Sequence, residues 1–246
     1  MLGDLLQSAR MRRDHRPLWL KSWLDRYNRF HVRHFLAPQL DRVGEDFRVM
    51  NPRHLQISGS GIEIGDHVHI MALPDKPVRL AVFEAPGHIR VGDYSIINPG
   101  ARITSASGIS IGSGCMLAMN CYLSDADWHD IQHRIFAPGK TAPITLENNV
   151  WIGDSALVTR GVTIGENSVV GAWSVVTKNV PPNTIVAGNP AREVGQVDTG
   201  HLTTREALFR GEVRFADLER DQALAALGPN SLAGWLKAML VPGRDD

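Results

Sequence analysis

Every sixth residue from 146 to 176 is aliphatic: Leu146, Ile152, Val158, Ile164, Val170 and Val176. Two positions ahead of each stands a smaller or β-branched residue: Ile144, Val150, Ala156, Val162, Ser168 and Ser174. Glycine follows the anchor in Ile152-Gly153, Ile164-Gly165 and Val170-Gly171. A period of six fits neither the 3.6 of a helix nor the 2 of an ordinary strand. It predicts a parallel β-helix built of hexapeptides, three to a triangular coil, with each aliphatic anchor pointing into the prism. One buried Ile or Val contributes roughly 1.5–3 kcal/mol, against about 1–2 kcal/mol of backbone entropy per ordered residue. A single coil therefore cannot stand, and several must stack. Glycine or asparagine suits the corners, which demand unusual φ and ψ.

The period continues upstream in blocks: Ile64 and Ile70; Val91, Ile97 and Ile103; Ile111, Leu117 and Leu123. Breaks are expected at about 71–88, 104–110 and 124–143. The last is long, polar and rich in ionisable groups, with Asp125, Asp127, His129, Asp130, His133 and Arg134. A long loop on a monotonous scaffold is usually functional or disordered. Cys115 and Cys121 both occupy the small position two before an anchor, which predicts buried thiols rather than a disulfide or a metal pair.

Three regions follow. Residues 1–50 form a helical N-terminal extension, in which Trp19, Trp23, Tyr27 and Phe30 share one helical face after Pro17. Residues 51–194 form the solenoid, which Pro181, Pro182 and Pro190 bring to an end. Residues 195–246 form a helical C-terminal extension, with a capping box at Thr203 and Glu206 and a stripe of Leu232, Trp235, Leu236, Met239 and Leu240. Either extension suits capping of the solenoid or packing on a neighbouring subunit. Before residue 46, nine Arg and Lys face five Asp and Glu, an excess that also suits an anionic membrane surface or an acidic glycan.

Over the whole chain of 246 residues the formal charge is zero, so nothing points to nucleic acid. No apolar run approaches the ~18 residues of a membrane span. The N-terminus lacks the apolar core and cleavage site of a signal peptide, so the expected compartment is the cytoplasm.

Residues 143–194 contain, in order, NNVWIG, GVTIG, SVVTK, VPPN and AGNPA. This run resembles the hexapeptide-repeat acyltransferases, the superfamily that includes maltose, galactoside and polysaccharide O-acetyltransferases. The resemblance implies an all-β fold, a left-handed parallel β-helix, assembled as a homotrimer with an acyl-CoA in the groove between neighbouring prisms. It implies a cytoplasmic acetyl-CoA-dependent O-acetyltransferase acting on a hydroxyl of a sugar, glycan precursor or polysaccharide, with no metal. Such chemistry asks for a base on the attacking hydroxyl and a donor to the tetrahedral oxyanion. Histidine titrates near working pH and suits the first task.

By resemblance His129 is the loop base, with His133 as the alternative because the loop is about one residue longer than in the sugar acetyltransferases. Asp125 or Asp127 would orient the imidazole or be solvated surface groups. Asn98 matches an asparagine near the reacting centre, although asparagine also suits a hexapeptide corner. Trp151 lies beside the donor site, Lys178 and Arg192 match cations that meet CoA phosphates, and the stretch from Ser174 to Lys178 offers backbone to the pantetheine arm. Trp173 departs from the small residue usual there; its indole either stacks on the cofactor or narrows the groove. Two other readings share the fold. A γ-carbonic-anhydrase-like metal hydrase would need His88, His129 and His133, and a non-catalytic platform would bind no acyl-CoA.

Overall fold

A computed structural model describes residues 14–83, 85–135, 138–210, 215–241 and 243. The N-terminal stretch read above for a leader lies, through residue 13, outside the described residues. The chain divides into two compact units, Asn28–Ala207 and a smaller one formed by Met1–Tyr27 with Leu208–Asp246.

The larger unit is a left-handed parallel β-helix with three faces. Face A stacks Arg42–Val43, Ile62–Ile64, Ile89–Val91, Ile109–Ile111, Ile144–Leu146 and Thr163–Ile164. Face B stacks Arg48–Met50, His69–Met71, Ile96–Ile97, Met116–Leu117, Trp151–Ile152, Val169–Val170 and Thr184–Gly188. Face C stacks Leu55–Ser58, Val78–Val82, Arg102–Ser105, Tyr122–Ser124, Leu157–Thr159 and Val175–Val176. Strands within each stack are parallel, and the aliphatic anchors pair in register: Leu146 with Ile164, Ile152 with Val170, Val158 with Val176. All six are buried, as are the small residues before them from Ile144 to Ser174. Cys115 and Cys121 are fully buried and free, and burial pushes each thiol up to about 12.

Two strands, Arg42–Val43 and Arg48–Met50, lie ahead of residue 51. The interval 71–88 is not a break in the coil, because Val78–Val82 supplies the missing piece of face C and buries Val78 and Leu80. Its anchor Leu80, in register with Ile103, comes ten residues after Ile70 instead of six, which is why the period fails there.

Corners repeat as well as faces. Between faces A and B, Asn149 Nδ2 donates to Asn167 Oδ1 (3.0 Å), and Asn167 Nδ2 donates to Asn183 Oδ1 (2.9 Å). All three have left-handed φ, 57°, 61° and 58°, a conformation asparagine tolerates well. Beyond Thr184–Gly188 the chain turns back, and Ala191–Gln196 adds an antiparallel strand to face B.

The smaller unit holds most of the helix Leu18–His31 and the helices Phe215–Leu227 and Leu232–Leu240. The first begins directly after Pro17, as expected, and Trp19 and Trp23 are exposed on it. Asn230 Nδ2 donates to the carbonyls of Asp14 (2.6 Å) and Arg16 (3.0 Å). Of the C-terminal stripe, Leu232, Leu236, Met239 and Leu240 are exposed. In the larger unit, Thr203 is not a helix cap: the next helix, Ala207–Arg210, opens with the Ala207 amide donating to the Thr204 carbonyl.

Candidate active site

The long loop leaves face C after Tyr122–Ser124 and returns at Ile144. Its foot is closed by an antiparallel bridge between Ala126 and Thr141, with the Asp127 amide donating to the Lys140 carbonyl (2.8 Å). His129 lies beyond that neck and is exposed, as is His133. Asp130 turns the loop back by accepting the amides of Gln132 and His133 (both 2.8 Å), which hold its carboxyl below the usual carboxylate range.

Neither carboxylate expected to orient an imidazole does so. Asp125 is fully buried, and its oxygens accept Ser105 Oγ (2.8 Å), Ser107 Oγ (3.2 Å) and the amides of Ala106 (2.7 Å), Ser107 (2.9 Å) and Gly108 (2.6 Å). It thereby gathers the turn of the preceding coil. Asp127 pairs instead with Arg160 of the following coil, Nε to Oδ2 at 2.8 Å. Both carboxylates position the loop, one from each side of its foot. An acidic residue beside a loop reads as solvated in a sequence; only the three-dimensional turn at 105–108 reveals the donors around Asp125.

Asn98 follows face B's Ile96–Ile97 and is part-buried. Its Nδ2 donates to the Leu117 carbonyl at 2.8 Å, which fixes the amide across one coil step. Trp151, on the same face, is 46% exposed and stands in one outward column with Ile96, Met116 and Val169. Also in that column is His69, whose imidazole burial and the Arg48 cation push down to about 4.

Lys178 and Arg192 come together. Both line a cavity of about 240 Å³ at the last coil, with Val176, Val180, Thr184 and Ala191. Val175–Val176 is the terminal strand of face C, so its outer edge is open beside this cavity. Ser174 is buried, and its Oγ accepts the Gly188 amide (3.0 Å), so its hydroxyl is engaged within the fold. Trp173 is 76% exposed and does not line that cavity. It sits at the corner between faces B and C at φ 59°, where the coils before it place Gly100, Asn120 and Ser155. A left-handed φ costs an ordinary side chain roughly 1–2 kcal/mol.

The sequence reading missed a second cluster beside the loop. The Trp128 indole Nε1 donates to Tyr122 Oη (3.2 Å) and Ser124 Oγ (3.1 Å), and its ring lies 4.7 Å from that of Phe83. Arg102 lies over the Tyr122 ring at 4.2 Å, and Thr104 Oγ1 donates to the phenol oxygen at 3.1 Å. Burial raises the Tyr122 phenol, but its hydrogen bonds with Ser124, Thr104 and Trp128 and the nearby cation outweigh burial and leave it below its ordinary value. Among the described residues, no three His, Cys, Asp or Glu side chains gather as a metal site; His88 packs its ring against Gly108.

Residues 143–178 match the family described as bacterial transferase hexapeptide (six repeats), and residues 89–125 match the hexapeptide repeat of succinyl-transferase. Both matches identify hexapeptide repeats in this chain. The chain is 37% identical over 118 residues to the galactoside O-acetyltransferase of Escherichia coli (strain K12), a stretch covering 47% of this chain and 58% of that enzyme. The chain thus spans little more than half the length of that relative. Among solved structures, its fold resembles that of AntD, an N-acyltransferase from Bacillus cereus in complex with dTDP and 3-hydroxybutyryl-CoA. The two agree with a TM-score of 0.55 at 19% identity, over 77% of this hexapeptide-repeat chain and 93% of AntD.

Proposed function

We propose that this protein is an acetyl-CoA-dependent O-acetyltransferase whose acceptor is a hydroxyl of a sugar, glycan precursor or polysaccharide. The observation that carries the reading is His129, exposed on a loop whose foot is clamped on both sides by Asp125 and Asp127, in a hexapeptide-repeat scaffold.

His129 takes the proton of the acceptor hydroxyl as its oxygen attacks the thioester carbonyl. The tetrahedral oxyanion collapses, the C–S bond breaks, and the CoA thiolate leaves with the proton returned from the imidazolium. Asn98, its amide fixed by the Leu117 carbonyl, holds the acceptor with its remaining polar atoms. Lys178 and Arg192 meet the phosphates of CoA at the rim of their shared cavity, and the open edge at Val175–Val176 offers backbone to the pantetheine arm. Trp151 and Trp173 supply indole faces along the donor. The corner backbone that holds Trp173 exposed supports stacking on the cofactor rather than closure of the groove. The outward Ile96, Met116, Trp151 and Val169 column suits burial against a second copy, in a homotrimer whose neighbouring prism completes the donor groove. No helix among the described residues is long and apolar enough to cross a membrane. The need for acyl-CoA supports the cytoplasm as the place of action.

Calorimetric titration with acetyl-CoA and CoA tests the donor site; saturable binding near one site per chain is expected. His129→Ala should lower transfer by about 10²–10⁴ with CoA affinity unchanged. Near wild-type turnover in that variant would overturn the assignment of the base, and His133→Ala would then identify the alternative.

A further inference from the structure

Side chains stacked on the outside of face C follow the register of its strands: Gln56, Arg79, Arg102, Tyr122. Neighbouring strands lie about 4.8 Å apart, so Arg79 and Arg102 are exposed cations on adjacent strands, with Arg79 reaching to Gln56 on one side and Arg102 to Tyr122 on the other. Like charges directly opposite one another destabilise a sheet. Three other arginines of the larger unit have acids: Arg90 pairs with Glu63, Arg48 with Asp46, Arg160 with Asp127. Among the described residues Arg79 has the neutral amide of Gln56 (2.7 Å), and Arg102 has the Tyr122 ring. Neither is neutralised by a carboxylate of a described residue. Two exposed cations on neighbouring strands without a described acid make a local positive field that favours an anion.

The aromatic side of the same patch is rigid. Tyr122 is pinned through its phenol oxygen by Thr104 and Trp128, and Trp128 packs on Phe83, which is 62% exposed. The exposed ring of Phe83, backed by the half-buried Trp128, suits the C–H face of a pyranose ring, an apolar surface with polar edges. Arg102 joins the two halves, since it both neighbours Arg79 and covers Tyr122. Trp128 immediately precedes His129 in the chain. We propose that the patch of Arg79, Arg102, Tyr122, Trp128 and Phe83 is the acceptor subsite and selects an anionic saccharide, with the sugar ring on Phe83 and Trp128 and its carboxylate or phosphate drawn to the Arg79 and Arg102 cations. This rests on the acyltransferase reading above for the word acceptor; the binding of an acidic sugar does not.

The test is therefore a binding measurement with no acyl donor present. Full-length protein is titrated at millimolar concentrations with trigalacturonic acid, glucose 6-phosphate and neutral maltotriose, observed by saturation-transfer NMR and by tryptophan fluorescence. Acidic probes should bind and maltotriose should not. Binding of trigalacturonate alone identifies the anion as a carboxylate, and of glucose 6-phosphate alone as a phosphate; either supports the subsite. Arg102→Gln and Arg79→Gln, both exposed and expected to fold, should weaken the acidic probe by at least about tenfold, with acetyl-CoA affinity unchanged. Trp128→Phe should weaken the sugar-ring contact and dim the fluorescence response. His129→Ala should bind the acidic probe as the wild type does, so failure of transfer and failure of this subsite are separable. Equal binding of neutral and acidic probes, no binding of any of the three, or unchanged affinity in both arginine variants would overturn the proposal.

Discussion

Between Ile144 and Val176 the chain climbs a coil in 18 residues, the spacing of Asn149 from Asn167, and each side chain stands on its own counterpart. Between Ala126 and Thr141 it leaves that register, and the gap between stacked residues grows to 35, as from Ser113 to Asn148. The first stretch is held by repetition: any one anchor meets nearly identical anchors above and below. The second is held at its root, by Asp125 reaching back one coil and Asp127 reaching forward one. Repetition spreads stability over many small equal contributions, whereas a rooted loop concentrates it in a few polar contacts and frees the tip that carries His129.

That contrast can be broken at its strongest point first. Asp125→Ala strips a buried carboxylate from three amides and two hydroxyls, and should cost about 3–5 kcal/mol in chemical denaturation. An effect within about 0.5 kcal/mol would mean that the turn at 105–108 holds itself. In the coil, Asn167→Ala removes both hydrogen bonds of its ladder and places alanine at φ 61°. It should cost about 2 kcal/mol, partly recovered in Asn167→Gly, which accepts that φ without strain. Equal losses in both variants would show that the ladder, not the backbone conformation, dominates. Arg160→Ala sharpens the comparison at its weak end. A part-exposed ion pair is worth about 0–1 kcal/mol, so the melting temperature should barely move, while turnover falls about tenfold as the foot of the His129 loop loosens. A drop in melting temperature with unchanged turnover would reverse the roles given to loop and coil.

The inside of the prism was legible in the sequence because burial enforces one chemistry at a fixed interval, from Leu146 to Val176. Lys178 and Arg192 lie within the motif run, and the structure brings them to one cavity at the last coil. Legibility failed where a segment departs from that interval. Extra residues set Leu80 ten places after Ile70, and Arg42–Val43 and Arg48–Met50 carry one buried residue between them, Val49. It failed again for side chains brought together only by register. Phe83, Arg102 and Tyr122 come from successive coils separated by unequal insertions, and Trp128 from the loop after Tyr122, so no fixed spacing marks them. Asp125 was misread for a different reason: its partners are mostly backbone amides, which leave no trace in composition.

The reversed strand Ala191–Gln196 has a consequence for how such a chain can lengthen. A parallel stack ends in a surface that matches its own beginning, and copies of it could in principle join end to end without limit. With one antiparallel strand laid across face B, the last surface no longer resembles the first. Duplicated hexads could then be accommodated only by insertion within the body of the prism, and the terminus acts as a fixed stop that keeps the molecule's length finite whatever the number of repeats before it.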